Sequence, residues 1–88
     1  MNEMRTLGLA ILQWHRIRGG LTIRRMAIAL TQDDVARLIG VSTKTVGRWE
    51  RGVVEPKGTE LSLWMAALGL TLNASGAGWS LDVMEDRV

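Results

Sequence analysis

Apolar residues recur three or four positions apart in two short segments near the middle of the chain, residues 31–39 and 43–51. This is the period of a helix that buries one face, so the pattern predicts two short helices. Their apolar positions are Val35, Leu38 and Ile39 in the first segment and Val46 and Trp49 in the second.

The ends of both segments carry residues that favour the beginning and end of a helix. Thr31 supplies an N-cap oxygen, and Asp34, three residues on, completes a capping box. Gly40 supplies the left-handed conformation that ends a helix without a Cβ clash. Ser42 is a second N-cap, so a tight turn joins the two predicted helices.

Two helices joined so closely need a small residue where they cross, and Ala36 occupies that place. The arrangement is that of a helix-turn-helix, with a helical hairpin in an unrelated bundle as the alternative. The residues predicted to be buried are Val35, Ala36, Ile39, Val41, Val46 and Trp49. Those predicted to face outward are Gln32, Thr43, Lys44, Thr45, Gly47 and Arg48.

Residues 1–20 fit two readings. Leu7, Ile11 and Trp14 recur at helical intervals. A strand is the alternative, because apolar runs flank Gly19 and Gly20 as they do in a hairpin with a glycine turn. Both readings predict a break at the two glycines, and residues 1–20 are then an extension ahead of the core domain, residues 21–70.

Two further helices are predicted around the motif. Thr22 caps a short helix that runs to about Ala29, and Thr59 caps a helix that Gly69 ends. The second has a broad apolar face formed by Leu61, Leu63, Trp64, Ala67 and Leu68. Two explanations stay open: all of this face is core, or part of it, including Trp64 or Met65, meets a second subunit.

The pattern changes to strict alternation after residue 69. Two runs of alternating apolar residues lie on either side of residues 75–78, which include two glycines. The alternating residues are Leu70, Leu72 and Ala74, then Trp79, Leu81 and Val83. Residues 71–88 are therefore predicted to form a β-hairpin with a frayed tail at residues 85–88, and a lone hairpin needs a helix face or a partner chain for stability.

Composition limits the chemistry. The 88 residues suffice for one small core, with no cysteine and the single histidine His15. No metal or cofactor site is expected, and an enzyme is not expected either. Residues 1–20 contain charges and no long apolar run, so neither a secretory signal nor a membrane span is predicted, and the expected location is the cytoplasm.

The net charge of +2 is unevenly distributed. Residues 1–30 carry five arginines against one glutamate, and residues 61–88 carry one arginine against three carboxylates. Such a basic front suits a protein that presents one side to a polyanion, and a solvated charge pattern with no partner explains the count equally well. If the partner is DNA, much of the long-range attraction is expected to come from the N-terminal arginines.

Three stretches of residues 21–70 carry a family resemblance: LTQDDVARLIGVS, TKTVGRWERG and P-x(4)-LSLWMAALGL. The chain resembles the Cro/repressor-like helix-turn-helix family, also called the XRE family. The resemblance implies a mainly α, five-helix lambda-repressor-like domain, here with an N-terminal extension and a C-terminal β-hairpin. The family usually has a glycine where this chain has Ala29.

The resemblance also implies that the second motif helix lies in the major groove of DNA. The base-reading positions are then Ser42, Thr43, Lys44 and Arg48. The expected phosphate contacts are Gln32, Thr45, Arg51 and Lys57. Lys44 and Arg48 lie four residues apart on one face, where an arginine fork matches the two acceptors of guanine. Arg25 and Glu50 match an ion pair that links the first helix to the recognition helix in many members.

These features predict a sequence-specific DNA-binding repressor that reads a palindromic operator as a homodimer. The C-terminal strands resemble those that support dimerisation in antitoxins, so an antitoxin that binds a toxin and regulates its own operon is one alternative. A protein-interaction module that keeps the fold without reading DNA is another.

Overall fold

The computed structural model describes residues 3–76 and 78–84. Within them the chain forms four helices followed by a two-stranded antiparallel sheet. The elements are α1 Glu3–Ala27, α2 Gln32–Ile39, α3 Thr43–Arg51, α4 Gly58–Ala67, β1 Leu70–Ser75 and β2 Gly78–Val83. The predicted mainly α fold with a C-terminal hairpin is confirmed, whereas four helices replace the predicted five. The predicted frayed tail, residues 85–88, lies outside the described residues.

The helix count differs because α1 continues through Gly19 and Gly20, so the break predicted there is wrong. Thr22 does not cap a separate helix, since its hydroxyl donates to the Arg18 carbonyl one turn earlier, at 3.2 Å. Gly20 has a packing role: a Cβ there would lie 3.0 Å from Leu81 Cδ1 of the hairpin. Gly20 has a low helix propensity, and the absence of its side chain lets α1 approach the hairpin closely. The division into an extension and a core domain stays a prediction, and α1 runs across its boundary.

The end of α1 explains the departure at Ala29. This alanine has a φ of +59°, the left-handed conformation that glycine adopts without a Cβ clash. The Ala29 amide donates to the Met26 carbonyl and the Leu30 amide to the Arg25 carbonyl, at 3.1 and 3.0 Å. These bonds satisfy carbonyls in the last turn of α1, and the alanine that makes the turn is strained.

Replacing Ala29 with glycine is expected to raise the free energy of unfolding by about 0.5–1 kcal/mol. Relief of the left-handed strain, about 1–2 kcal/mol, exceeds the extra chain entropy that glycine loses on folding. Urea unfolding of the variant measures the change. Ala66→Gly, at an exposed helical position in α4, is the control and is expected to destabilise. A loss of stability in the Ala29 variant would contradict the strain.

The helix termini of the motif are those that the sequence predicts. Thr31 Oγ1 accepts from the Asp34 amide at 3.0 Å, and an Asp34 carboxylate oxygen accepts from the Thr31 amide at 2.8 Å. The hydrogen bond from the Thr31 amide to the carboxylate, with a smaller contribution from the Thr31 hydroxyl, lowers the pKa of Asp34, because both groups stabilise its charged form. Gly40 ends α2 with a φ of +85°, and the Ser42 hydroxyl caps α3. The predicted capping box and turn are confirmed.

One core holds α1, the motif and α4 together. Its buried side chains are Leu21, Val35, Ala36, Val46, Trp49, Trp64, Leu68 and Leu70. The rings of Trp49 and Trp64 lie 5.4 Å apart between centroids, tilted by 38°. The complete burial of Trp64 removes it from any surface for a second subunit. Of the residues predicted to be buried, Ile39 and Val41 are only partly covered.

Two local predictions are wrong. Gly47 is buried and does not face outward, because a Cβ there would lie 3.2 Å from Arg51 Nη1 and 3.3 Å from Gln32 Oε1. The N-cap of α4 is Lys57 and not Thr59, since the Lys57 amide donates to the Glu60 carboxylate at 2.9 Å, so α4 begins two residues earlier.

The hairpin packs on α1 through its apolar face. Leu72 pairs with Leu81 and Ala74 with Trp79, as the alternation predicts. Trp79 lies beneath the guanidinium of Arg16, whose Cζ is 5.3 Å from the ring centroid. The Met84 amide donates to the Gly69 carbonyl at 2.8 Å, which ties the end of the hairpin to the end of α4. The helix face that an isolated hairpin needs is therefore provided by the chain itself.

The N-terminal half of α1 projects apolar side chains away from this core. The exposed ones are Met4, Leu7, Leu9, Ile11 and Leu12. A groove of about 660 Å³ separates part of this half from the segment between α3 and α4, with Trp14 and Pro56 on opposite sides. Among the described residues, no helix is both long and apolar enough to cross a membrane.

Candidate nucleic-acid interface

Helix α3 has one buried side and one exposed side. Val46 and Trp49 lie in the core, while Lys44 and Arg48 are exposed. Neither cation makes a side-chain hydrogen bond or an ion pair within residues 3–76 and 78–84. Because the two side chains lie four residues apart, they project in nearly the same direction. The exposed side of α3 thus presents two cations that the fold does not use.

The hydroxyl groups at the start of α3 are bonded to each other. Ser42 Oγ accepts from the Thr45 amide at 3.1 Å and lies 2.8 Å from Thr45 Oγ1. Ser42 is exposed and Thr45 is half-buried. Both residues therefore help to build the N-terminus of α3, where the backbone amides and the helix dipole favour an anion such as phosphate.

Thr43, the first residue of α3, is bonded across the turn to α2. Its hydroxyl donates to Asp33 Oδ1 at 2.7 Å, and Asp33 Oδ2 pairs with Arg37 Nη2 at 2.6 Å. Sequence reasoning missed Asp33 as a site residue. Asp33 lies ten residues before Thr43, on the other side of the turn. This spacing indicates a contact only when the angle at which the two helices cross is known.

A partly buried polar network attaches α3 to α1 and α2. Arg25 Nε donates to Glu50 Oε2 at 2.6 Å and Arg25 Nη2 to Glu50 Oε1 at 3.0 Å, which confirms the ion pair that the family resemblance implies. Gln32 Nε2 donates to the same Oε1 at 3.0 Å. The bonds to Glu50, opposed by burial, raise the pKa of Arg25 above its ordinary value.

Three of the expected phosphate contacts, Gln32, Arg51 and Lys57, lie on different elements of the fold. Gln32 and Arg51 both lie against buried Gly47, so their side chains meet over the same turn of α3. Arg51 is exposed, and Gln32 is half-buried with one amide hydrogen bonded to Glu50. Lys57 is exposed at the start of α4, beyond α3 in the chain. Gln32 and Arg51 are thus neighbours, and Lys57 belongs to a different element.

The arginines of α1 mainly stabilise the fold. Arg18 Nη1 donates to the Glu50 carbonyl at 2.8 Å, and Arg24 Nε donates to the Leu68 carbonyl at 2.9 Å. Each guanidinium therefore satisfies a carbonyl in the last turn of α3 or at the end of α4, where a cation also complements the helix dipole. With Arg16 on Trp79 and Arg25 on Glu50, the arginines at positions 16, 18, 24 and 25 all contact the protein itself. These four guanidinium groups therefore serve the fold, and of the four only Arg25 is paired with a carboxylate of the described residues, so the other three keep a charge that attracts a polyanion over distance.

A family model described as helix-turn-helix matches residues 21–74. The match covers the end of α1 from Leu21 onward, the whole motif, α4 and most of β1. No curated protein and no solved structure matches the chain.

Proposed function

This chain belongs to the helix-turn-helix family of DNA-binding transcription regulators of the XRE type, and we propose that it is a cytoplasmic repressor that reads a palindromic operator as a homodimer. Helix α3 enters the major groove. Ser42, Thr43, Lys44 and Arg48 face the bases, and Gln32, Thr45, Arg51 and Lys57 contact phosphates. No cofactor and no catalytic step belong to this function.

The observation that carries the proposal is the pair of exposed cations on α3. An exposed arginine without an internal partner retains all five N–H donors for an acceptor outside the protein. In the major groove, guanine O6 and N7 offer two acceptors at the spacing of an arginine fork. Lys44, one turn before Arg48, is free to contact a base or a phosphate in the same groove.

Titrating the protein against labelled duplexes at several salt concentrations separates this function from that of an interaction module. A reader of sequence retains a large preference for its selected site over random duplex as the salt rises, because base contacts do not depend on counterion release. If added salt abolishes binding to the selected duplex as readily as binding to random duplex, the result contradicts sequence reading and supports the interaction module.

Dimerisation follows from the limited reach of one helix. A single α3 contacts only a few base pairs, whereas two copies about 34 Å apart read two half-sites in successive turns of the major groove. We assign the interface to the hairpin together with the adjoining side of α1. Leu9 and Leu12 continue the side of α1 on which the hairpin packs, and Leu72 of the hairpin is 42% exposed.

Leu12→Glu and Leu72→Glu are each expected to raise the dimer dissociation constant about tenfold or more, because a carboxylate then enters an apolar interface. Light scattering across a dilution series measures the change. Ser80→Glu, on the polar face of the same hairpin, is the matched control and is expected to remain dimeric. Equal dimerisation of all three variants would contradict this interface.

The antitoxin alternative is favoured by one feature, the apolar groove beside the exposed half of α1. A groove of this size fits a segment of a partner protein, such as a toxin. Co-expression with the product of a neighbouring gene tests it: a complex that Leu7→Glu in the groove disrupts supports an antitoxin, and purification of the chain without that product supports a simple repressor.

A further inference from the structure

Asp33 controls the direction in which the Thr43 hydroxyl can form hydrogen bonds. A threonine hydroxyl has one hydrogen to donate and two lone pairs to accept with. The carboxylate of Asp33 has no hydrogen, so in the 2.7 Å bond Thr43 must be the donor. The exposed side of Thr43 Oγ1 is then left with lone pairs only.

We propose that Asp33 is a specificity-determining positioning residue, which makes Thr43 an acceptor for the base that faces it. The inference rests on the proposed function, in which Thr43 lies against the base edges. In the major groove, adenine N6 and cytosine N4 are donors, whereas guanine presents N7 and O6 and thymine presents O4, all acceptors. The base opposite Thr43 is therefore adenine or cytosine, in preference to guanine or thymine.

Arg37 makes this mechanism testable, because it fixes how an amide would sit at position 33. Its Nη2 contacts Asp33 Oδ2 at 2.6 Å and can only donate. In Asp33→Asn the amide oxygen must face Arg37, so the amide nitrogen faces Thr43 and donates to its oxygen. The Thr43 hydrogen then points to the DNA, and the preference inverts toward guanine or thymine.

Site selection from a random duplex pool with matched variants tests the inversion. Thr43→Val, which keeps the shape and removes the hydroxyl, identifies the base position that Thr43 reads, since the preference there is lost. Asp33→Asn is expected to shift the ratio of adenine and cytosine to guanine and thymine at that position by about two- to tenfold, the value of one hydrogen bond. Other positions are expected to keep their preferences.

Asp34→Asn is the matched control, because it removes the same charge one residue away while its side chain contacts Thr31 and not α3. It is expected to keep the parent preference at every position. Asp33→Asn with Arg37→Ala frees the amide to rotate, and its preference at the Thr43 position is expected to lie between those of the parent and Asp33→Asn.

Two results would overturn the inference while leaving sequence-specific reading of DNA by α3 intact. In the first, the parent selects a site, and Asp33→Asn and Asp34→Asn show the same base preference at the position that Thr43 reads. In the second, the parent selects a site, and Thr43→Val leaves the base preference unchanged at every position of it. A parent that selects no site contradicts the proposed function itself, and the inference with it.

Discussion

Replacing Arg25 with methionine is expected to lower the free energy of unfolding by about 2–3 kcal/mol. The side chain of Glu50 is only 5% exposed, and without the guanidinium its carboxylate keeps one hydrogen bond, from Gln32. Removing one partner of a buried ion pair costs about 3–5 kcal/mol, and the 14% exposure of Arg25 places this pair somewhat below that range. Chemical unfolding followed by tryptophan fluorescence measures the loss, since Trp49 and Trp64 lie in the core.

Two further variants show whether the loss comes from the ion pair. Arg24→Met removes a neighbouring guanidinium that donates to one carbonyl, and it is expected to cost about 1–2 kcal/mol. Arg25→Met combined with Glu50→Met leaves no buried charge and is expected to recover part of the stability that Arg25→Met loses. If the double variant loses more free energy of unfolding than the two single variants lose in sum, the result contradicts the explanation.

Replacing Arg48 with alanine is expected to weaken binding to the preferred duplex by about 1–3 kcal/mol and to relax the preference at one or two base positions. Arg48 is exposed on α3 and makes no side-chain bond to the described residues, so its removal leaves the fold unchanged. Fluorescence anisotropy with the selected duplex and with single-base variants of it measures both effects. An unchanged unfolding midpoint shows that the loss arises at the interface.

Lys57→Ala provides the contrast. Lys57 begins α4 and lies outside the reading helix, so its loss is expected to weaken binding to all duplexes alike and to reduce the salt dependence by about one counterion. If Arg48→Ala and Lys57→Ala change every duplex by the same factor, Arg48 is a phosphate contact and not a base reader.

The motif was predictable because its determinants are local. The capping box of Thr31 and Asp34, the left-handed Gly40 and the Ser42 cap each act within a few residues, and each is present in the structure. The hairpin was predictable for the same reason, since alternation and a glycine turn fix its register. The ion pair of Arg25 and Glu50 followed only from the family resemblance, because no local pattern joins residues so far apart.

The features that the sequence did not reveal depend on contacts between distant residues. Gly20 reads as a helix breaker until Leu81, 61 positions later, is seen beside it. Gly47 reads as an outward position until the side chains of Gln32 and Arg51 are seen to cover it. The charge pattern of the N-terminus shows nothing of the part that Arg18 and Arg24 play in the fold, where each donates to a carbonyl at the end of α3 or α4. In each case the local sequence indicates a conformation or an exposure, and contacts with distant residues determine what the residue does in the fold.

The positions of the site residues divide in the same way. Exposure of Lys44 and Arg48 followed from helical spacing, because the opposite positions are apolar. The bond between Asp33 and Thr43 did not, because two helices must first cross at a particular angle. The sequence therefore predicts which residues face outward, and the structure adds which of their hydrogen-bonding groups are already in use.

Selection of binding sites from a random duplex pool tests sequence-specific reading by a dimer most directly. The predicted result is a palindrome whose half-sites lie about 10 base pairs apart, centre to centre, with preferences that Arg48→Ala relaxes in both halves. Retained duplexes that share no sequence, and that salt releases as readily as random DNA, would contradict it.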